Sequence, residues 1–158
     1  FELCSRYLDE IVTVDDDEIA QAILFLMERG KMVAEGAGAA PVAAIMNRKF
    51  DVNGKVAAVI SGGNIDVTMI SRIIEKGLLR AGRMTKLRIL MQDRPGQLEM
   101  ASRIIAAEGA NVMVVHHDRT DVDLDIRDAI LEITMETQDR EHAQRVIDAL
   151  RAGGFQVS

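Results

Sequence analysis

Leu87-Arg-Ile-Leu-Met-Gln-Asp-Arg-Pro-Gly-Gln-Leu98 is the stretch that decides the fold of the second half of the chain. Apolar residues alternate over its first part, at Leu87, Ile89 and Met91, as they do in a strand with one buried face. Pro95 then ends the alternation, and proline is well tolerated in a turn that leads into a helix. The stretch therefore predicts a strand, a turn and the start of a helix.

The residues that follow continue this pattern to the end of the chain. Apolar side chains spaced along one helical face predict a helix that begins near Leu98 and ends at Gly109, and a second helix around Val146. Alternation predicts three more strands, over residues 111–117, 128–137 and 155–157. The order βαββαβ predicts a ferredoxin-like α/β sandwich over residues 84–158.

The first half of the chain, residues 1–79, predicts a different arrangement. Acidic residues followed by apolar residues at helical spacing predict a helix over residues 16–29. A run of small residues after Glu35 leads into a second predicted helix. Residues 55–60 are almost continuously apolar, which predicts a strand buried on both faces.

A glycine-rich turn at residues 61–64, Ser-Gly-Gly-Asn, follows this predicted strand and leads into a predicted helix over residues 65–76, which we expect to end at Gly77. Residues 78–83 show no clear period, and we expect residues 80–83 to be a linker between two domains.

Composition argues against several classes of function. The net charge is -6, aromatic residues make up 3% and tryptophan is absent, which argues against a nucleic-acid partner. No apolar run is long enough to cross a bilayer, so we expect no membrane partner. The single cysteine, Cys4, cannot form an internal disulfide and favours the reducing cytoplasm. Residues 1–9 read as the closing turns of an element already under way, so we expect a fragment.

The Ser-Gly-Gly-Asn turn has two interpretations. A glycine-rich turn after a buried strand presents backbone N–H groups at the edge of a sheet where α/β folds bind ligands. The same residues can also form a tight strand-to-helix turn in which Asn64 or Asp66 caps the helix.

The wider context of this turn resembles a known enzyme family. Residues 54–67 (Gly-Lys-Val-Ala-Ala-Val-Ile-Ser-Gly-Gly-Asn-Ile-Asp-Val) and residues 33–40 (Val-Ala-Glu-Gly-Ala-Gly-Ala-Ala) resemble the end of the threonine/serine dehydratase and serine racemase family. The resemblance implies that residues 1–79 are the carboxyl-terminal part of a pyridoxal-phosphate (PLP) domain of fold type II, like tryptophan synthase β.

This resemblance also implies a cofactor site and a reaction. Ser61 matches the serine that hydrogen-bonds the pyridine nitrogen of PLP, Gly62 lies against the cofactor, and the segment around Glu35 lines the same pocket. A neutral hydroxyl at this position leaves the nitrogen largely unprotonated, which suits β-elimination. The implied reaction converts threonine to 2-oxobutanoate and ammonia, or serine to pyruvate and ammonia.

The chain has five lysines, and none lies in the Ser-Phe-Lys context that carries the Schiff base in this family: Lys31, Lys49, Lys55, Lys76 and Lys86. We therefore assign no catalytic residue to this chain. We expect the isolated polypeptide neither to bind PLP tightly nor to turn over threonine.

Residues 84–158 resemble an ACT domain, most clearly in Asp-Arg-Pro-Gly-Gln-Leu at residues 93–98 and in Glu-Gly-Ala-Asn-Val at residues 108–112. In that family the turn after the first strand binds small effectors at a subunit interface. Free N–H groups and the positive end of a helix dipole suit a carboxylate. The alternative is that the turn is structural and that the domain only holds subunits together.

The resemblance implies an effector, a partner and a set of binding residues. The effector would be isoleucine or valine in a biosynthetic enzyme and an adenine nucleotide in a catabolic one. A second ACT domain would cover an open edge of the sheet, so we expect a homo-oligomer. Asn111 would contact an effector bound across the pair. One wall of the effector site would be formed by four residues of the turn: Asp93, Gly96, Gln97 and Leu98.

Two patterns imitate metal sites, and we predict no metal at either. His116 and His117 are adjacent in a strand, so their side chains point to opposite faces and cannot chelate one ion. Asp121-x-Asp123-x-Asp125 imitates a calcium loop, but Ile126 stands where that loop needs glycine.

Two functions compete at this point. The chain is either part of a PLP-dependent threonine ammonia-lyase with an ACT sensor, or a stand-alone ACT-type regulatory protein. Ser61 and its glycines favour the enzyme, because an adaptor has no need of a hydroxyl at a cofactor edge.

Overall fold

The computed structural model describes residues 2–51, 53–120 and 124–158. It divides the chain into two compact units, Phe1–Gly77 and Leu78–Ser158. Each unit has its own cluster of buried apolar residues.

The described part of the first unit is helical. Asp15 begins α2 with a reciprocal pair of hydrogen bonds: its carboxylate accepts from the Glu18 N–H at 2.8 Å, and the Glu18 carboxylate accepts from the Asp15 N–H at 2.9 Å. This capping box confirms that the acidic cluster starts a helix. The elements are α1 (Glu2–Tyr7), α2 (Asp16–Phe25), a π-helical turn (Leu26–Gly30), α3 (Gly36–Met46) and α4 (Val67–Arg80).

The strand predicted over residues 55–60 is wrong, because these residues form no regular element. Val56 and Val59 are 45% and 78% exposed, so the run is not buried either. A strand needs a neighbouring strand for its N–H and C=O groups, and the described residues of the first unit provide none.

Gly77 does not end a helix as predicted, since α4 continues through it to Arg80. A Cβ built on Gly77 would overlap the side chain of Leu24 in α2. The glycine therefore permits close packing of α4 against α2, and this packing outweighs its poor helix propensity.

Residues 80–83 are held within the second unit rather than free. The Arg140 guanidinium donates to the carbonyl oxygen of Arg80 at 2.6 and 3.1 Å, and the Thr137 hydroxyl donates to that of Gly82 at 2.5 Å. Their role as a linker stays a prediction.

The second unit is a four-stranded antiparallel sheet with two helices. The strand order is β2-β3-β1-β4, in which β1 and β3 occupy the centre. This order, together with the element sequence βαββαβ, confirms the predicted ferredoxin-like sandwich. The elements are β1 (Met84–Gln92), α5 (Gln97–Ala107), β2 (Asn111–Asp118), β3 (Asp128–Glu136), α6 (Arg140–Ala152) and β4 (Gln156–Val157).

The core of the second unit lies on one face of its sheet. The three alternating residues of β1 are opposite Ile133, Leu131 and Ala129 of β3, and all six are buried. They pack in one cluster with Ile105 of α5 and Leu150 of α6. The period of two seen in residues 87–91 therefore decides which face of the sheet is buried.

The β2 strand lies at an edge of the sheet and leaves apolar side chains exposed. The pairing of β2 with β3 shifts between Val112 and Val114, so Met113 is the extra residue of a bulge. Met113 and Val114 are 47% and 57% exposed. This edge is an open hydrogen-bonding surface on the described chain.

Candidate functional site

The first candidate site is the contact between the Ser61–Gly62 segment and the start of α3. The Glu35 N–H donates to the carbonyl oxygen of Gly62 at 3.1 Å. A Cβ built on Gly38 would overlap the carbonyl oxygen of Ser61. The two backbones therefore touch, and only glycine fits at position 38.

The side chain of Glu35 extends over Gly62. Gly62 has a left-handed φ of 71°, and a Cβ on it would overlap the Glu35 carboxyl group. The structure thus brings together Glu35, Ser61 and Gly62, the three residues predicted from the sequence at a cofactor edge. Ser61 is exposed.

Asp66, not Ser61, caps the amino terminus of α4. The Asp66 carboxylate accepts from the Thr68 N–H at 2.7 Å and from the Thr68 hydroxyl at 2.5 Å. These hydrogen bonds lower the pKa of Asp66. Asp66 therefore caps α4, as the structural interpretation of the turn predicts. The Ser61 hydroxyl takes no part in this cap.

A cavity of about 770 Å³ adjoins this segment within the first unit. Glu35 and Asn64 line it, together with apolar side chains such as Ile65 and Ile73. Lys76 also lines it and pairs with Asp17 at 2.5 Å. The cavity therefore combines an apolar floor with a few charged groups, as small-molecule sites do.

The second candidate site is the turn between β1 and α5. Gly96 is the N-cap of α5, with a φ of 90° and no atom within 4 Å of a Cβ built on it. Since glycine has no side chain, it cannot accept from the N–H groups of Leu98 and Glu99 in the first helical turn. The helix thus begins with donors that no N-cap side chain satisfies.

An open cavity of about 400 Å³ lies beside this turn. Of the predicted effector residues, Gln97 alone lines this cavity. Its remaining walls come mainly from the ends of β1, β3 and β4: Leu90, Met91, Gln92, Arg94, Asp128, Gly154, Phe155 and Gln156.

Asp93 makes contacts that the sequence did not predict. Its carboxylate accepts from Arg119 Nε at 2.7 Å and from Arg119 Nη2 at 3.1 Å. Nε2 of His117 lies 3.7 Å from Asp93 Oδ1 and is buried without a hydrogen-bond partner. The Asp93 N–H donates to the carbonyl oxygen of Arg127 at 2.8 Å. Sequence reasoning missed Arg119 because the contact depends on how β2 aligns with β1.

Asn111 is not brought to the turn within one chain. Because β1 and β2 both run antiparallel to β3, they point the same way, so the start of β2 is far from the end of β1. Asp128 is opposite the end of β1 and Glu136 is opposite Asn111. The two are eight residue steps apart along β3, which is roughly 25 Å. The Asn111 amide donates to the Glu136 carboxylate at 3.0 Å.

The histidines differ in their surroundings. His116 is exposed and His117 is half-buried, so the prediction that they occupy opposite faces is confirmed. His142, on α6, is 1% exposed. Its Nδ1 accepts from the Gln138 N–H at 3.1 Å and its Nε2 lies 2.8 Å from the carbonyl oxygen of Glu108. Only the neutral tautomer with a proton on Nε2 satisfies both contacts.

Among the described residues, no group of three or more histidine, cysteine, aspartate and glutamate side chains is arranged to hold a metal ion. Asp121 and Asp123 of the calcium-like pattern lie outside those residues. A search of the same residues for a helix that is long and apolar enough to cross a membrane finds none.

Comparison with known proteins identifies the relatives of the chain. Residues 1–62 match the family model described as pyridoxal-phosphate dependent enzyme. Residues 1–62 are therefore similar in sequence to this class of enzyme.

The whole chain resembles particular members of that class. It is 51% identical to the L-threonine ammonia-lyase of Thermotoga maritima and 44% identical to that of Geobacter sulfurreducens, over 99% of its own length in both cases. These similarities confirm the resemblance to threonine dehydratases. The chain spans 39% of the length of each of these relatives.

One of the solved structures that the chain matches covers about half of its length. It is the ACT domain from the GTP pyrophosphokinase of Chlorobium tepidum, which is 16% identical with a TM-score of 0.38 and covers 48% of this chain and 94% of that one.

Proposed function

We propose that this chain is the part of a PLP-dependent threonine ammonia-lyase that carries one edge of the cofactor site and an amino-acid sensor. The observation that carries the proposal is the convergence of Glu35, Ser61 and Gly62 around a contact that only glycine permits at position 38. The 51% identity to a threonine ammonia-lyase over 99% of the chain supports it.

The residues fit one edge of a PLP site. The Ser61 hydroxyl is exposed and is not used in capping. The glycines at positions 38 and 62 let the Ser61 carbonyl oxygen and the Glu35 carboxyl group approach the backbone closely, which holds these residues together at one edge. When bound, PLP supplies an electron sink for the elimination. Ser61 would hold the ring nitrogen through a neutral hydrogen bond, and Glu35 would line the same pocket.

This chain contributes positioning rather than a nucleophile. Lys49 and Lys76 pair with Glu18 and Asp17 at 2.6 and 2.5 Å, which gives both lysines structural partners. We expect the chain mixed with PLP and threonine to release no ammonia, and to show no cofactor absorbance band that survives dialysis. The Thermotoga maritima relative serves as the positive control.

A chimera tests the cofactor edge directly. This chain replaces the matching 39% of the Thermotoga maritima relative, and the chimera should release ammonia from threonine. Ser61→Ala in the chimera should lower PLP affinity and activity by about tenfold, since a lost hydrogen bond to a ring nitrogen costs about 1–1.5 kcal/mol. Ser71→Ala, in an exposed turn of α4, is the matched control and should change neither. An active chimera that tolerates Ser61→Ala would contradict the proposed role of Ser61.

The β1–α5 turn supports the sensor role. Uncapped N–H groups at the start of α5 and the positive end of its dipole suit the carboxylate of an amino acid. Asp93, Gly96, Gln97 and Leu98 would form one wall. Isoleucine and valine are the effectors that fit a biosynthetic enzyme, in which the chain would act in isoleucine biosynthesis, and an adenine nucleotide is the alternative for a catabolic one.

Pairing of two copies would complete this site. If β2 pairs antiparallel with β2 of a second copy, the first residue of one strand lies near the last residue of the other. Asn111 of the second copy would then reach the end of the sheet that carries Asp93. The exposed apolar residues of β2 support such a homo-oligomer.

Two measurements test the sensor role. Calorimetry of the chain with isoleucine, valine, threonine and adenosine monophosphate should detect one ligand, and effector binding should couple to the parent enzyme by about 1–3 kcal/mol. Sedimentation should show an oligomer, and a Val114→Lys variant on the exposed edge should be monomeric. If all four ligands fail to bind, only the structural role of the second unit remains.

The single cysteine supports a cytoplasmic location.

A further inference from the structure

The Asp93 carboxylate is already occupied by a cation of the same chain. Both of its oxygens accept from Arg119, one at 2.7 Å from Nε and the other at 3.1 Å from Nη2. This two-point geometry is the strongest that an arginine offers a carboxylate. Asp93 is therefore not a bare anion waiting for a ligand.

An α-amino acid needs two complementary charges at the turn. Its carboxylate is met by the start of α5, and its ammonium needs an anion. Asp93 is the only carboxylate among residues 92–98. Asp128 also lines the cavity beside the turn. An ammonium held at the turn itself by Asp93 would use the group that the Arg119 guanidinium already contacts.

We propose that Arg119 is an internal competitor for the effector ammonium, so that an amino acid binds by displacing Arg119 from Asp93. This inference rests on the proposed effector site. The exchange replaces one ion pair by another, and Arg119 thereby sets the concentration at which the sensor responds.

Removing Arg119 should leave the turn itself in place. The Asp93 N–H is anchored to the carbonyl oxygen of Arg127 at 2.8 Å, a contact that needs no arginine side chain. The Arg119 side chain is 62% exposed, so its loss opens no cavity in the core. In the parent chain His117 Nε2 lies 3.7 Å from Asp93 Oδ1.

The test compares isoleucine and valine binding by calorimetry in the whole 158-residue chain and in Arg119→Gln. Because an exposed ion pair contributes only modestly, Arg119→Gln should bind the amino acid about threefold more tightly. Arg127→Gln is the matched control. It removes the same charge at the other end of the β2–β3 connection while its backbone contact to Asp93 remains, so it should change affinity much less.

Two further arms separate competition from a general charge effect. In Asp93→Asn the amino acid should bind more weakly, and adding Arg119→Gln should give no gain because the shared anion is gone. 2-Hydroxy-3-methylpentanoate, which lacks the ammonium of isoleucine, should not bind more tightly to Arg119→Gln. The gain for isoleucine should shrink in high salt.

The outcomes distinguish this inference from the effector site on which it rests. If the parent chain binds an amino acid and Arg119→Gln binds it equally or more weakly, the competition is wrong and the effector site stands. If neither protein binds any ligand, the effector site fails and the competition with it. A silent parent chain with an Arg119→Gln variant that binds would support the competition.

Discussion

The apolar strand-like segments of the two units differ in structure: the one in the second unit is a buried strand, and the one in the first unit is not a strand. In the second unit, Ile89 and Leu131 lie opposite each other in the sheet and are completely buried under two helices. In the first unit, the apolar run at residues 55–60 forms no strand, and Val59 is 78% exposed. An apolar segment becomes a buried strand only where partner strands are available, and in the described chain only the second unit supplies them.

Truncation of an apolar side chain should give the largest difference in stability between the two units. Leu131→Ala should destabilise the second unit by about 2–5 kcal/mol, because it removes buried methyl groups and leaves a cavity. Val59→Ala in the first unit should change stability by less than about 0.5 kcal/mol. Urea unfolding followed by NMR signals of each unit measures both. A large effect of Val59→Ala would show that the run is buried in solution.

The next largest effect tests the tight contact inside the first unit. Gly38→Ala should destabilise that unit by about 1–3 kcal/mol, because the new methyl group meets the Ser61 carbonyl oxygen, which is backbone and cannot rotate away. Gly63→Ala is the matched control, since its Cβ would be 3.6 Å from the Val33 carbonyl oxygen. Amide hydrogen exchange in α3 reports the change. Equal protection in the two variants would contradict the contact.

A buried histidine in the second unit should give an effect of about the same size. His142→Ala should cost about 1–3 kcal/mol, since it leaves the Gln138 N–H and the Glu108 carbonyl oxygen without their partner. His116→Ala removes an exposed ring and should be nearly neutral. Thermal unfolding compares the two variants, and equal melting temperatures would argue against the buried hydrogen bonds.

The smallest effect is a pH dependence at the start of α4. Hydrogen bonds from Thr68 lower the pKa of Asp66 in the folded chain, so the ionised form is favoured by folding. The stabilisation is therefore present above the unfolded pKa of 3.8 and is lost as pH falls through the lower folded value. An NMR titration of Asp66 should show the lowered pKa, and Thr68→Val should raise it toward 3.8. An unchanged titration in Thr68→Val would contradict this cause.

The quality of sequence prediction differs between the units for a physical reason. In the second unit, alternation at residues 87–91 predicted the strand and its buried face, since all strands that it pairs with follow in the same chain. At Gly77 the local rule that glycine ends a helix was wrong, because packing against Leu24 determined its role. The predicted cofactor residues are adjacent in the structure, although their role as a PLP site stays a prediction.

The sequence by itself determined the βαββαβ order, the resemblance to threonine dehydratases, and the absence of a lysine in the Ser-Phe-Lys context. These depend on local period and on motifs, which are properties of neighbouring residues. Only the tertiary structure decided that Arg119 occupies Asp93, that Asn111 lies at the opposite end of the sheet, and that residues 55–60 remain unpaired. Those facts depend on strand register and on the available partners, which join residues that are distant in the chain.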